Sequence, residues 1–185
     1  LFWRNGNPEL SSNFLRAIIS IHVLYACFCG RIYSKSILKL YPSPPFFSFP
    51  TTPGAYNEDG DGVFVSKFDS NLGSLLASTF VGSGGGYSIE LDSDGNVYVA
   101  GGTSSADYPT TLCAYDDDVN GSDGFISKLN NSLSTLLAST FIGGSGNDLC
   151  TRHITSAVNG DVYLVGYTSS TDFPTTVGAY DQTHN

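Results

Sequence analysis

The chain has 185 residues, 41% of them apolar, with 8 Lys and Arg against 17 Asp and Glu and a net charge of −9. That length suits one domain or slightly more, and the apolar share is that of a globular chain. Residues 1–48 hold five basic residues (Arg4, Arg16, Arg31, Lys35, Lys39) and one acid, Glu9, whereas residues 49–185 hold Lys67, Lys128 and Arg152 against 16 acids. An acidic surface of this kind repels phosphate backbones and anionic lipid, so no nucleic-acid partner is expected.

No Met occurs and residue 1 is Leu, so the chain reads as a fragment of a longer protein. The four cysteines, Cys27, Cys29, Cys113 and Cys150, form no CxxC and no Cys/His cluster with zinc spacing. Cys113 and Cys150 are open to two readings, a disulfide or two incidental thiols.

Residues 1–48 stand apart from the rest. The apolar run Ala17 to Cys29, preceded by Arg16, is short of the roughly 20 residues that cross a membrane. It has the length of a signal-peptide core, and Leu24-Tyr25-Ala26-Cys27 is loosely like a lipoprotein cleavage box. His22 and the missing Met oppose export. Three readings stay open: an export signal, a buried structural segment, or a stretch that is not natural coding sequence in this frame. Tyr41 to Phe47 is Pro-rich and reads as an extended linker.

From Phe49 the chain repeats itself, and self-similarity is read before anything else. Leu75-Leu76-Ala77-Ser78-Thr79-Phe80 returns letter for letter as Leu136-Leu137-Ala138-Ser139-Thr140-Phe141. Phe64 to Asp69 matches Phe125 to Asn130 at the same offset, 61, and Gly95 to Gly101 matches Gly160 to Gly166 at 65. The segment FPTTPGAY (49–56) returns as YPTTLCAY (108–115) and FPTTVGAY (173–180). The offset drifts only through residues added in Gly/Asp/Ser-rich stretches, as loops between fixed strands do.

The elements predicted in order are strands at 63–68, 75–81, 87–91 and 97–100, then 125–129, 136–142, about 151–155 and 162–165. Short apolar runs parted by turn residues read as an all-β meander. Asp94-Gly95 and Asn159-Gly160 suit type I′ hairpin turns, which need positive φ at both residues. Neither face of 75–81 carries charge, so both faces should be covered. Each FPTT is held extended by its Pro and two β-branched Thr. The Ala-Tyr that closes each connection (Ala55-Tyr56, Ala114-Tyr115, Ala179-Tyr180) is expected to plug its ring into a neighbouring core, the competing reading being a ring that stacks a sugar.

Chemistry-bearing clusters are few. Asp92-Ser93-Asp94-Gly95-Asn96 has the oxygen spacing that opens a calcium loop, but its internal copy, Ala157 to Asp161, loses the first donor; the turn is the preferred reading. The loops Glu58-Asp59-Gly60-Asp61 and Asp116-Asp117-Asp118 offer donors for a weak calcium site, against a solvated, self-repelling loop. His22, His153 and His184 are scattered. No nucleophile elbow, HExxH or P-loop occurs, and Gly143-Gly144-Ser145-Gly146 has no following helix or Lys to cradle phosphate. No catalytic, cofactor-binding or metal residue is therefore assigned, and the only cofactor left open is weakly held calcium.

These copies, reading FVSKF and FISKL, LLASTF, GGSGND, GNVYVAGGTSSADYPTT and FPTTVGAY, resemble the bacterial seven-bladed β-propeller repeat, the SBBP repeat, over Phe49 to about Asp181. The resemblance implies an all-β partial propeller of two four-stranded antiparallel blades, repeat 1 at 49–115 and repeat 2 at 116–185, behind a non-repeat segment at 1–48. It further implies a bacterial, secreted or cell-surface protein with no family catalytic motif. The expected role is a non-catalytic scaffold or adhesion module. The alternatives are a carbohydrate-binding propeller and a non-catalytic part of a propeller enzyme. Expected partners are further propeller repeats of the same or a parent chain, and a surface glycan or protein. The first copy departs from the pattern by lacking four residues after Gly82. A ring of seven such units needs roughly 400 residues or more, so two units cannot close one, and open faces and edges are expected to leave the fragment marginal or prone to association.

Overall fold

A computed structural model describes residues 49–183, which lie within one compact unit. The readings made for 1–48, and His184, lie outside the described residues. The described chain is all-β and has no helix; its strands pair antiparallel, and one isolated parallel bridge joins Ser122 to Asn147. Its strands are β1 (Val63–Phe68), β2 (Leu75–Gly82), β3 (Gly85–Leu91), β4 (Val97–Thr103), β5 (Asp123–Leu129), β6 (Leu136–Ile142), β7 (Asp148–Ser156) and β8 (Val162–Thr168). Every expected strand is present, several of them longer than the apolar run that announces them.

Sheet membership differs from the expectation. The strands do not group as β1–β4 and β5–β8. They form a two-stranded sheet β1-β2, a four-stranded sheet β3-β4-β5-β6 and a two-stranded sheet β7-β8. The four-stranded sheet therefore straddles the repeat boundary at 115/116. Its central pair, β4 with β5, is in unbroken register from Val97↔Leu129 to Thr103↔Asp123.

The reason lies in the connections. The outer edge of β2 is already taken by residues 52–57. The Thr52 N–H donates to Ser78 O at 3.0 Å and the Phe80 N–H to Asn57 O at 3.1 Å. β3 cannot pair there, so the chain steps into the next layer. The edge of β6 is closed in the same way: Thr111 N–H donates to Ser139 O and Phe141 N–H to Asp116 O. Threonine hydroxyls complete both clamps. Thr52 Oγ1 and Thr111 Oγ1 accept from the Ser78 and Ser139 amides at 3.0 Å. The FPTT segment is thus an edge guard, which answers the hazard an open strand presents.

Over β4 and β5 both faces of the central sheet are covered. On one face Val97, Val99, Phe125 and Leu129 meet Val63, Val65, Ala77 and Val81 of the β1-β2 layer. On the other, Tyr98 and Ala100 meet Ile154 of β7, with Ile126, Val162 and Leu164 around them. Tyr108, the aromatic at the head of the second connection, fills the first core. Tyr108 stacks on Phe125 with centroids 4.2 Å apart and lies 6.1 Å from Phe141. Phe49, Phe64 and Phe80 repeat that trio at 4.2 and 5.4 Å. Ser127 and Ser139 share a hydrogen bond of 2.8 Å across the sheet, as Ser66 and Ser78 do. The Tyr108 hydroxyl joins Ser127 at 3.0 Å, so a buried polar pair is satisfied within the core.

The β5-β6 turn carries a leucine in an unusual place. Leu133 has φ 57°, its N–H donates to Asn130 O at 2.9 Å, and its side chain is fully buried in the first core. A left-handed conformation costs a leucine about 1–2 kcal/mol, and burying the side chain gains about 1.5–3 kcal/mol. Its counterpart in the β1-β2 turn, Leu72, has φ 56° yet is 77% exposed. Leu72 bears the same backbone strain without the burial. Leu133→Ala should therefore lower unfolding stability by about 2–5 kcal/mol, while Leu72→Gly should raise it by up to about 1 kcal/mol. Urea melts of the two variants check this, and equal effects at both positions would contradict it.

Candidate functional site

Two places in the fold stand out beside a smaller hollow of about 340 Å³ between Phe49, Phe80 and the loop 58–62. The first is a groove of about 630 Å³ beside β1, walled by Val65 and Lys67 and floored by Ile89, Leu91, Val97 and Leu133. The second is a buried acidic junction where β5 and β7 begin.

At the junction Asp123 and Asp148 are both buried. Asp148 is fully engaged. It accepts the Ser170 hydroxyl at 2.6 Å, the Gly144 N–H at 2.6 Å and the Thr168 hydroxyl. Burial alone would push its carboxyl up, but these donors outweigh it and hold the group below the usual carboxylate range. Asp123 accepts the Asn120 N–H at 2.8 Å through Oδ2, while Oδ1 has no partner. Burial pushes Asp123 up, and the neighbouring charges of Asp148 and Asp116 add to that.

The glycine-rich loop 143–147 is spent on this junction. Its amides donate to the protein itself: Gly144 to Asp148, Ser145 to Asp172, Gly146 to Ser170 and Asn147 to Ser169. None of these N–H groups is left to hold an anion. The shorter first copy makes a simpler joint, with the Thr103 hydroxyl donating to Ser83 O at 2.6 Å. The four extra residues of the second copy are thus occupied in a polar knot between β6 and the turn after β8. A hydroxyl facing a carboxylate resembles part of a nucleophilic set, yet no imidazole joins the network as a base. His153 is exposed on β7.

The sequence-level candidates fall as follows. Asp92 accepts the amides of Asp94 and Asn96, the Asn96 side-chain amide, and a salt bridge from Lys128 at 2.9 Å. Its oxygens close a turn and neutralise a lysine that also lies 4.8 Å over the Tyr98 ring. The turn itself corrects the type I′ expectation. Only Gly95 and Gly160 have positive φ, at 75° and 91°, and Asp94 and Asn159 do not. The Gly95 N–H closes back on Asp92 O at 2.9 Å, which makes it a type I turn with a glycine bulge.

The acidic loops are not brought to a common point. Glu58 accepts the Gly54 N–H, and Asp61 accepts the Ser83 hydroxyl. Among the described residues, no group of three or more His, Cys, Asp or Glu converges as metal ligands would. The Ala-Tyr expectation holds in one copy. Tyr56 packs against the first core and its N–H donates to Leu133 O at 2.9 Å. Tyr115 and Tyr180 are exposed. Cys113 is an exposed free thiol, so it is in no disulfide. It has φ 64° where Gly54 and Gly178 have 80° and 86°, which is why glycine suits that position in the sister copies.

Asp123, Asp148 and Tyr108 escaped the sequence reading. Asp148 stands in the expanded loop, where the first copy offers no counterpart, and Asp123, the first residue of β5, falls opposite Gly62 at the shared offset of 61. The burial of Tyr108 was signalled by the recurrence of an aromatic before Pro-Thr-Thr in all three connections.

The Asn96 amide and Lys128 hold Asp92 down to about 2. A depressed carboxyl contributes stability that is complete above its unfolded value, about 4, and lost as pH falls through its folded value. Wild-type stability should thus fall between pH 4 and pH 2, and Asp92→Ala should flatten that part of the profile without loss of the fold, since Ala157 occupies the matching turn. Urea midpoints at a series of pH values test this; an Asp92→Ala profile parallel to wild type would contradict it.

The chain matches no protein-family model and no curated protein, so its functional reading rests on the geometry above.

Proposed function

We propose that residues 49–183 are part of a β-propeller array of the SBBP repeat kind, serving as a non-catalytic extracellular or cell-surface scaffold or adhesion module. The observation that carries this reading is the stacking: one four-stranded sheet lies between two layers built from equivalent strands. Such a stack repeats by adding like units, and its partners are further repeats of the same or a parent chain, with a surface glycan or protein at its exposed loops. Apart from Asp123 Oδ1, the polar groups that look reactive are committed to structure. Asp148 knits a loop, Asp92 closes a turn and neutralises Lys128, and the loop amides are saturated. No cofactor is needed by this reading, and the acidic surface keeps the array soluble.

A carbohydrate-binding propeller is the second reading, favoured by the exposed rings of Tyr115 and Tyr180. The packing of Tyr56 against Leu133 O and the first core argues that these two rings belong to joints of the same kind. A glycan array probed with wild type and with Tyr115→Ala/Tyr180→Ala decides between them. The scaffold reading expects the same pattern from both proteins. A sugar class retained by wild type and lost by the variant would favour the carbohydrate reading, and turnover of any glycoside or ester abolished by one substitution within 49–183 would refute the scaffold.

A further inference from the structure

The groove beside β1 has the shape of a missing strand. β1 is paired on one side only, with β2, among the described residues. Next to that edge no described layer lies over the central sheet, and Ile89 and Leu91 on β3 are exposed although they belong to the same face as buried Val97 and Val99. The groove is lined mainly by apolar side chains, with Lys67 on its wall.

The chain also contains a strand of matching pattern. β1 is the repeat equivalent of β5: Val63-Phe64-Val65-Ser66-Lys67-Phe68 stands for Gly124-Phe125-Ile126-Ser127-Lys128-Leu129. β8 is the equivalent of β4: Val162-Tyr163-Leu164-Val165-Gly166-Tyr167-Thr168 stands for Val97-Tyr98-Val99-Ala100-Gly101-Gly102-Thr103. β4 and β5 pair, but β8 and β1 of the same chain do not. The outward face of β8 is correspondingly bare. Tyr163 is 58% exposed where Tyr98 is 8% exposed, and Val165 and Tyr167 are exposed beside it.

We infer that β8 of a second copy of this chain docks antiparallel to β1, seated in this groove. The β4-β5 pairing gives the register. Tyr98↔Lys128 becomes Tyr163↔Lys67, Ala100↔Ile126 becomes Val165↔Val65, and Gly102↔Gly124 becomes Tyr167↔Val63. Alternation along the strand then turns Tyr163, Val165 and Tyr167 toward the groove floor, on the side where Val63 and Val65 already face the central sheet. Lys67 meets a tyrosine, as Lys128 does over Tyr98. Main-chain pairing supplies affinity and the alternating side chains supply specificity, as in other strand additions. Because the two surfaces differ, association is head-to-tail and runs to open chains or to rings. The inference shares the stacking of layers with the proposed array, but ligand retention or turnover would refute that scaffold without touching this contact.

The test is register-specific crosslinking between two single-cysteine proteins, both in a background of Cys27→Ser, Cys29→Ser, Cys113→Gly and Cys150→Ser. One carries Lys67→Cys and the other Tyr163→Cys, both at exposed positions. Directly opposed residues lie within disulfide reach, and a two-residue slip adds about 7 Å and removes it. Mild oxidation of the mixture should give a crosslinked heterodimer in yield roughly tenfold above that of Lys67→Cys mixed with Val165→Cys. Ile89→Asp, at the exposed floor, should lower sedimentation-measured association by about tenfold or more. Equal crosslinking of the matched and shifted pairs, association indifferent to Ile89→Asp, or a monomer at every concentration would each overturn the inference, the last leaving the groove to a covalently attached repeat or another partner.

Discussion

Val97–Thr103 is buried along its whole length because it has a strand on each side and a sheet on each face. The rest of the described structure depends on that placement. The pairing of β4 with β5 joins one sequence repeat to the next through main-chain hydrogen bonds, so neither repeat is a complete sheet without the other. The long connection at 104–122 makes this feasible. It leaves β4, inserts Tyr108 into the core, guards the edge of β6 through Thr111 and returns to start β5. Backbone groups that would otherwise be buried and unpaired find partners along this route.

Equivalent residues in the two copies then have different fates, and the difference measures context directly. Phe125 is fully buried and its counterpart Phe64 is half exposed. Leu133 and Leu72 share a strained backbone, and only the first has a layer to enter. Equivalent sequence is therefore buried or exposed according to whether a layer lies over it among the described residues. Large exposed apolar side chains on a sheet face mark a surface suited to contact, and here they gather on the outward sides of β1 and β8.

The fold was legible in the sequence to the extent that periodicity can carry it. Alternating apolar runs and Gly-rich breaks located the strands. The uncharged faces of Leu75 to Val81 predicted a sheet covered on both sides, but among the described residues the β1-β2 sheet meets another layer on one face only, and Leu76 and Phe64 are exposed. Grouping into sheets was not legible, because a tandem repeat shows its period but not its phase. Any four consecutive strands make an equally good unit on paper, and the choice is settled by Thr52 and Thr111 occupying the edges of β2 and β6. The turn at Asp94-Gly95 misled for a related reason: the dipeptide suits two turn types, and the side chain of Asp92 and the bulge at Gly95 select one. The acidic junction stayed hidden because Asp148 sits in a segment where the copies differ in length and Asp123 has Gly62 at its matching position, so internal comparison had no second carboxylate to align.

The central claim is that β4 is an inner strand bridging two repeats. Residue-resolved hydrogen exchange of the folded chain tests it most directly. The account predicts that every amide from Tyr98 to Gly102 is slow, because successive N–H groups are bonded alternately to β3 and β5. Alternate fast amides along that stretch, the mark of a strand with one free edge, would contradict it.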